Sequence, residues 1–198
     1  MSSPHPVVYL VRHGETGWTV THRHTGLTDV ALTENGEQAA RKLAAPLADL
    51  APGRVWTSPL QRAKRTCELA GFADVAIVDP DLVEWDYGDY EGLTSAEIRR
   101  QRPTWNLFRD GCPGGESLTE ISARADRVIQ RARAMDNDVL LFSSGHFSRV
   151  LTARWLGLDA SCGRLFLLGT TTLSVLGYEH DLNEPVIRLW NDASPGLR

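Results

Sequence analysis

Short apolar runs rich in Val, Ile and Leu alternate along the chain with longer stretches whose apolar residues recur at helical spacing. This alternation is typical of βαβ units, and it predicts a three-layer α/β/α fold with a mostly parallel sheet in a single domain over residues 1–198. The predicted strands, of which we expect the last two to pair antiparallel, are Val7–Val11, Arg54–Thr57, Val75–Val78, Val139–Ser143, Thr172–Tyr178 and Val186–Trp190. The predicted helices are Glu34–Leu50, Pro59–Ala70, Glu116–Met135 and Phe147–Leu156.

One helix start carries strong local signals. Ser58 offers an N-cap hydroxyl, Pro59 suits the first helical position, and Gln61 is spaced to close a capping box. Gly71 stands where this helix is expected to end. These signals place Arg62 in the first turn of the helix.

The stretch from residue 80 to residue 115 has no clear period. Trp85, Tyr87 and Trp105 are interleaved there with acidic residues and glycines. A long aromatic segment between sheet elements predicts a folded excursion, and such excursions often cover a pocket. We therefore expect residues 80–115 to form the roof of a binding pocket.

Composition and charge exclude several classes of function. The 198 residues include 21 Lys and Arg against 25 Asp and Glu, and this net charge of −4 argues against nucleic acid or an anionic membrane as the main partner. The longest apolar run, Val7–Val11, is far shorter than the roughly 20 residues that cross a bilayer. Three cysteines without a C-x-x-C pair, and the lack of a visible secretory signal, predict reduced thiols and a cytoplasmic location. The sequence leaves the oligomeric state, including a homo-oligomer, open.

Three of the predicted strands are followed by residues that can bind an anion. Arg12 and His13 follow the first strand, and Arg62 begins the helix after the second. His146 follows Gly145 after the fourth strand. Because the carboxyl ends of parallel strands meet at one edge of a sheet, we expect these groups to converge there. Guanidinium groups and helix N-termini suit phosphate, so the expected ligand is a small phosphorylated metabolite.

Hydrolysis of a phosphate ester needs a nucleophile and a proton source in addition to cations. His13 is the candidate nucleophile, because neighbouring cations lower the pKa of its imidazole and stabilise the charge on the transferring oxygens. Glu84, an acid flanked by aromatic residues, is the candidate proton donor to the departing alkoxide. Asp86 is the next acid in line for that role.

In their order along the chain, these motifs resemble the histidine phosphatase superfamily, whose fold is phosphoglycerate-mutase-like. The resemblance extends from about Val7 to Tyr178 and rests on Arg12-His13-Gly14-Glu15-Thr16, Thr25-Gly26-Leu27-Thr28-Asp29, Ser58-Pro59-Leu60-Gln61-Arg62-Ala63, Glu84 with Tyr87-Gly88 and Glu91-Gly92, Pro113-Gly114-Gly115-Glu116-Ser117, and Gly145-His146. Several blocks in the same order are far more specific than any single triplet.

The resemblance implies a catalytic role for five residues. It implies that His13 becomes phosphorylated and that Arg12, Arg62 and His146 bind the phosphoryl group. It also implies that Glu84 acts first as general acid and then as base for the attacking water.

The resemblance also implies several substrate contacts. Thr25 and Gly26 are expected at the pocket wall, and Tyr87 occupies a position that faces the substrate in mutases. Thr19 stands where those mutases carry Asn, and it can donate one hydroxyl hydrogen bond but cannot offer an amide pair. The resemblance implies no metal and no cofactor.

Two features favour water as the final acceptor of the phosphoryl group. The segment after Glu84 is short and lacks the extra basic residues of cofactor-dependent mutases, and the chain has no long C-terminal tail. The blocks at 84–92 and 112–117 are most similar to the branch that contains acid phosphatases and sedoheptulose-bisphosphatase-like enzymes. The resemblance therefore implies a metal-independent phosphomonoesterase. A phosphoglycerate mutase and a non-catalytic phosphate-binding module are the alternatives.

Other phosphatase chemistries have less support in the sequence. None of the three cysteines begins a Cys-x5-Arg loop, and no Gly-Lys pair forms a Walker A site. Asp79-Pro80-Asp81 follows a predicted strand and imitates the aspartyl nucleophile of Mg-dependent haloacid-dehalogenase-like phosphatases. That assignment would leave His13 and His146 unexplained.

Two histidines of a loop and the arginines of one predicted helix are expected at the surface. His22 and His24 have H-x-H spacing, but no third ligand completes a metal site, so we interpret both as exposed loop residues. The alternative for His24, which directly precedes Thr25-Gly26, is a contact with substrate. A solvated face is the interpretation for the arginines of the third predicted helix, which are Arg124, Arg127, Arg131 and Arg133.

Overall fold

The computed structural model describes residues 5–193, which form one mixed sheet flanked by helices. The strands are β1 (Val8–Arg12), β2 (Arg54–Thr57), β3 (Ala76–Val78), β4 (Val139–Ser143), β5 (Leu173–Tyr178) and β6 (Pro185–Asp192). Their order across the sheet is β3-β2-β4-β1-β5-β6. The first four in this order are parallel to one another, and β5 and β6 are antiparallel to their neighbours. The predicted α/β class, the mostly parallel sheet and the antiparallel last pair are confirmed.

Short and long helices connect the strands. They are α1 (Gly17–Val20), α2 (Glu34–Lys42), α3 (Ala44–Ala48), α4 (Gln61–Cys67), α5 (Ser95–Gln101), α6 (Leu107–Asp110), α7 (Leu118–Arg133) and α8 (Gly145–Trp155). The predicted helix 34–50 is divided between α2 and α3, since Pro46 has no N–H to donate to the carbonyl of Lys42. None of the helices in the described part of the chain combines the length and apolar character that a bilayer crossing requires.

The two faces of the sheet carry separate apolar cores, which makes three layers. Along β4, Val139 and Leu141 belong to the core that includes α7 and α8, whereas Leu140 and Phe142 belong to the core that includes α3 and α4. This alternation follows from the period of two of a β-strand, and burial on both faces explains why β4 is apolar from Val139 to Phe142.

The predicted start of α4 is wrong in one respect. The helix begins at Gln61 with Leu60 as its N-cap residue, and Ser58 does not cap it. Asp29, from a distant loop, accepts the Gln61 N–H at 2.7 Å and so replaces the local cap. Arg62 still lies in the first turn, and Gly71 has a φ of +93° where the helical path ends.

Residues 80–115 leave the sheet after β3 and return to it through α7. They contain 3-10 turns at Pro80–Leu82 and Gly88–Tyr90 together with α5 and α6. Trp85 and Trp105 are buried in the core under α7 and α8. The two tryptophans therefore anchor the excursion, and the turns between them carry other side chains toward the ends of the strands.

Candidate active site

His13 directly follows β1 at the carboxyl end of the parallel strands. Its N–H donates to the carbonyl of Ser143 on β4 at 2.9 Å, and the residue is 3% exposed. Nδ1 lies 2.8 Å from the carbonyl oxygen of Gly14, and since a carbonyl only accepts, Nδ1 carries the proton and Nε2 keeps its lone pair. Burial and the charges of Arg62 and Arg12 hold the His13 pKa well below its usual 6.5. His13 is therefore a neutral imidazole with a nucleophilic nitrogen.

Arg62 is fully buried at the start of α4. Its Nη1 donates to the carbonyl of Thr28 at 2.9 Å, and its Nη2 donates to the carbonyls of Thr25 at 3.1 Å and Gly26 at 2.7 Å. These bonds hold the guanidinium group in one orientation. Nε is buried and has no hydrogen-bond partner within residues 5–193.

The loop that holds Arg62 is itself held by Glu91. Both carboxylate oxygens of Glu91 accept the N–H of Gly26, at 2.8 and 3.0 Å. A Cβ at residue 26 would lie 2.6 Å from both Glu91 Oε2 and the carbonyl oxygen of Trp85, so this approach requires glycine. Gly26 does not line the cavity described below, and it acts on the site through Arg62.

Arg12, the last residue of β1, donates from Nη1 to the carbonyl of Leu168 at 2.5 Å. Its Nε is buried and, like that of Arg62, has no partner in the described part of the chain. A Cβ at residue 145 would lie 3.1 Å from this Nε, so Arg12 packs closely against the first residue of α8. An anion beside His13 would supply the acceptors that these two buried donors lack.

Glu84 lies at the N-terminus of α8. Its Oε1 accepts from the N–H groups of Trp85 at 2.9 Å and Phe147 at 2.7 Å, and its Oε2 accepts from the N–H of His146 at 2.9 Å. The positive end of the helix dipole favours a negative group at this place. Glu84 is 4% exposed and lines the cavity, and its three hydrogen bonds hold the carboxyl group in a fixed orientation.

A ring cluster made of His24, Tyr87 and His146 lines the same cavity. The Tyr87 hydroxyl and His146 Nδ1 are 2.5 Å apart, and the ring of His24 lies 4.8 Å from that of Tyr87. Burial lowers the pKa of His24 to about 4, and burial together with the charge of Arg149 lowers the pKa of His146 well below 6.5. Burial raises the pKa of Tyr87 well above 10. All three rings are neutral at pH 7.

The cavity has a volume of about 590 Å³, and most of the predicted site residues meet there. Those that line it are Arg12, His13, Thr19, Thr25, Glu84, Tyr87 and His146. Arg62 does not line the cavity, but it lies behind Thr25 and close enough to His13 for its charge to lower the His13 pKa. The Thr19 hydroxyl donates to the carbonyl of Thr16 at 2.9 Å, so its single hydrogen is already used in the cap of α1.

Arg149 lines the cavity and was not predicted. Its guanidinium group lies 4.7 Å from the ring centroid of Phe108, and its Nε donates to the carbonyl of Gly163 at 3.0 Å. Arg149 follows His146 by three residues, and this spacing, which puts both side chains on one face of a helix, is the sequence signal for it.

The sequence of this chain matches a family of known proteins. The model of the histidine phosphatase superfamily, branch 1, matches residues 8–193. The chain belongs to this superfamily. An acid phosphatase of Mycobacterium tuberculosis is 40% identical to this histidine phosphatase over 179 residues, which cover 88% of each chain. Sedoheptulose 1,7-bisphosphatase of Saccharomyces cerevisiae is 36% identical, and the match covers 80% of this chain and 70% of the relative.

A solved structure agrees with the same family. The product of an open reading frame of Mycobacterium tuberculosis superposes with a TM-score of 0.89 at 38% identity, and the match covers 94% of this chain and 97% of that chain. The predicted phosphoglycerate-mutase-like fold and the predicted phosphomonoesterase class are confirmed.

The prediction that His24 is an exposed loop residue is wrong in this histidine phosphatase. His24 lines the cavity, and its contact with substrate stays a prediction. His22 is exposed, but the ring of His24 is only partly exposed, because it lies 5.5 Å from the ring of Trp105 and its Nε2 lies 3.3 Å from the Ser95 hydroxyl. Its neighbours come from the excursion 80–115, which local sequence around His24 does not reveal.

The prediction of a solvated face is wrong for Arg124, which is 7% exposed. It forms an ion pair with Glu116 at 2.6 Å and donates to the carbonyl of Val83 at 2.7 Å. Arg124 thereby holds the backbone that carries Glu84. By contrast, more than half of the Arg127 side chain is exposed.

Asp79 is engaged in structural contacts away from the cavity. Its Oδ2 forms an ion pair with Arg131 at 2.6 Å, and its Oδ1 accepts the N–H of Asp81 at 2.9 Å. These contacts cap the turn that follows β3. Asp79 is therefore part of the scaffold beneath the excursion.

Proposed function

We propose that this histidine phosphatase hydrolyses phosphate monoesters of small metabolites by transferring the phosphoryl group to Nε2 of His13 and then to water. One observation carries the proposal: Nδ1 of His13 faces the carbonyl of Gly14, which leaves Nε2 with its lone pair, and the residue feels the charges of Arg12 and Arg62, whose buried Nε donors have no partner within residues 5–193. A neutral nucleophile next to unfilled cationic donors suits an electrophile that carries several negative oxygens.

In the first step, the lone pair of His13 Nε2 attacks phosphorus, and the bond from phosphorus to the leaving oxygen breaks. The carboxyl group of Glu84 gives its proton to the departing alkoxide, which leaves as an alcohol. Arg12 and Arg62 stabilise the charge on the oxygens that stay with phosphorus. Because these two side chains supply the positive charge, the reaction is proposed to be independent of metal ions.

In the second step, the carboxylate of Glu84 takes a proton from a water molecule, whose oxygen attacks phosphorus. The bond between nitrogen and phosphorus breaks, its electrons return to His13 Nε2, and inorganic phosphate leaves. Glu84 is then protonated again and His13 is neutral, so the enzyme is restored. The N–H groups at the N-terminus of α8 fix the orientation of the Glu84 carboxyl group and favour the carboxylate that this second step requires.

The contacts of His146 leave one ring nitrogen for the phosphoryl group, as the resemblance implies. Its Nδ1 is paired with Tyr87, and its ring lies 5.5 Å from that of Phe108 and 6.1 Å from that of His24. Its Nε2 is the atom left for substrate. Tyr87, Thr25 and Thr19 complete this wall, and Gly26 supports it from behind.

The substrate is proposed to be a small phosphorylated metabolite. A cavity of about 590 Å³ falls within the range of small-molecule sites. Relatives that are 40% and 36% identical are named as an acid phosphatase and a sugar bisphosphatase, whereas relatives that are 32% and 34% identical are named as probable phosphoglycerate mutases. The higher identity of the first two supports hydrolysis over transfer between phosphoglycerates.

The proposal is tested with His13→Ala and, as matched control, His180→Ala, whose side chain is 76% exposed. We expect His13→Ala to lower kcat by about 10⁴-fold or more, because the covalent intermediate cannot form, and His180→Ala to stay within about twofold. Initial rates on 4-nitrophenyl phosphate, with EDTA present, measure both. Near-normal turnover by His13→Ala, or strict dependence on Mg²⁺, would contradict the mechanism.

A substrate survey separates hydrolysis from the alternatives. Rates of phosphate release from sugar phosphates, phosphoglycerates and nucleotides are expected to exceed any exchange between phosphoglycerates primed by a bisphosphoglycerate. Faster exchange than release would indicate a mutase. Phosphate binding without turnover on any ester would indicate a non-catalytic module.

A further inference from the structure

Ser144 lies between β4 and α8, next to the proposed phosphoryl site. It is the N-cap residue of α8, it is fully buried, and its hydroxyl has no hydrogen-bond partner within residues 5–193. A buried hydroxyl without a partner costs roughly 1–3 kcal/mol, so its persistence calls for an explanation.

The reason that the Ser144 hydroxyl lacks a partner is visible at the start of α8. The side chain of an N-cap serine normally accepts the N–H of the second or third helical residue. In this helix those groups belong to His146 and Phe147, and both donate to Glu84. Glu84 therefore performs the capping, and the hydroxyl of Ser144 is left for another contact.

The neighbours of Ser144 place it beside Arg12 and His13. The preceding residue, Ser143, pairs with Arg12 across β4 and β1 and accepts the N–H of His13 at 2.9 Å. The following residue, Gly145, approaches Arg12 so closely that a Cβ there would lie 3.1 Å from Arg12 Nε. Ser144 is thus bracketed by residues that contact the end of β1.

Within residues 5–193, three buried donors without a partner lie on residues that contact or adjoin the surroundings of His13, although only Arg12 among them lines the cavity. They are Arg12 Nε after β1, Arg62 Nε in α4 and the Ser144 hydroxyl before α8. A group that satisfies several donors from different directions must carry several acceptor oxygens, and a phosphoryl group has this property.

We infer that the Ser144 hydroxyl donates a hydrogen bond to an oxygen of the phosphoryl group at His13, which makes Ser144 a further substrate-binding residue. The inference rests on the proposed function and adds a neutral donor to the two arginines. This donor moves no proton and forms no covalent bond in either step.

The test compares Ser144→Ala with Ser148→Ala. Ser148 is a matched control, because its hydroxyl is also buried and unpartnered and it lies one helical turn further along α8. Ser144→Ala should lower kcat/KM on 4-nitrophenyl phosphate by about 10- to 100-fold, as expected for loss of a hydrogen bond to a charged group. Calorimetry should show weaker binding of inorganic phosphate by about tenfold or more. The Tm should stay unchanged or rise, since an unpartnered hydroxyl is removed from the interior.

Ser148→Ala should leave both rate and phosphate affinity within about twofold of the original protein. The inference is overturned if Ser144→Ala binds phosphate as tightly as the original protein, or if both variants lose activity together with a fall in Tm. Phosphate binding is measured without turnover, so it tests Ser144 even if the proposed hydrolysis fails. Conversely, a normal Ser144→Ala beside an inactive His13→Ala would remove Ser144 and keep the proposed function.

Discussion

The two sides of the cavity are built by different physical means. On the cationic side, Arg12 lines the cavity and Arg62 lies behind Thr25. Both are held by backbone carbonyls, and each has a buried Nε donor without a partner within residues 5–193. On the other side, the ring cluster consists of neutral side chains, and Tyr87 and His146 satisfy each other. The buried donors of the cationic side therefore need an oxyanion, whereas Tyr87 and His146 already form a hydrogen bond with each other and leave Nε2 of His146 for a ligand.

This difference suggests a division of labour between the two sides. Donors held in place before the substrate arrives stabilise developing charge without reorganisation, so the cationic side should govern the rate of phosphoryl transfer. The rings of the cluster are neutral and limit the space in the cavity, so they should govern which leaving group fits. Glu84 connects the sides, because it accepts the N–H of His146 while its carboxyl group faces the cavity.

The largest expected effect in this comparison comes from Glu84→Gln. We expect kcat to fall by about 10²- to 10⁴-fold on an alkyl ester such as glycerol phosphate, because its alkoxide needs a proton to leave. The loss on 4-nitrophenyl phosphate should be much smaller, since this leaving group needs little protonation. The ratio of the two rates is the measurement.

Asp86→Asn is the control for this change. The Asp86 carboxylate accepts the N–H of Gly88 at 2.9 Å, and its substitution should affect both esters alike and weakly. An equal loss on both esters in Glu84→Gln, together with an ester-dependent loss in Asp86→Asn, would move the acid to residue 86.

A somewhat smaller loss is expected for Arg62→Lys on the cationic side. A lysine ammonium cannot reproduce the planar fork that serves Thr25, Gly26 and Thr28, and it has no Nε donor in that position. We expect kcat/KM to fall by about 10²- to 10³-fold. Arg65→Lys, an exposed neighbour on α4, should change it by less than about twofold. Similar losses of kcat/KM in the two variants would contradict a specific role of the Arg62 guanidinium group in the rate.

The smallest effect concerns stability and the ring cluster. His24 has a pKa of about 4 in the folded protein and an ordinary value of 6.5. Below pH 6.5 the unfolded chain therefore binds more protons at this residue than the folded protein does, and the free energy of unfolding falls as the pH is lowered. Between pH 7 and pH 5 this group should cost about 2 kcal/mol of the free energy of unfolding. Urea unfolding at both pH values measures it.

His24→Gln should reduce this pH dependence, and His22→Gln, a change at an exposed neighbour, should leave it unchanged. Equal pH dependence in all three proteins would contradict a neutral, largely buried His24.

The low pKa of His13 leads to a separate expectation for activity. Protonation of the nucleophile should cause no loss of kcat/KM at pH 6.5, because His13 is still neutral at that pH.

Much of the cationic side could be predicted from the sequence. Apolar runs define β1, β2 and β4, and a residue that directly follows such a run must lie at the carboxyl edge of the sheet. Arg12 and His13 are located in this way, and Arg62 follows from the first turn of the next helix. The capping signals at Ser58 still misplaced the start of that helix, because a local hydroxyl competes with acceptors that only the fold brings near.

What the sequence by itself determined is the layered sheet, the family motifs and the identity of the charged groups at the strand ends, since these depend on periodicity and adjacency along the chain. What only the tertiary structure decided is which groups bond to one another. Tyr87 and His146 are 59 positions apart, and Glu84 and Phe147 are 63 positions apart. In an unfolded chain, water and neighbouring residues can form hydrogen bonds with every polar atom. Packing of the 80–115 segment against α8 excludes water, so only the partners that the fold brings together remain.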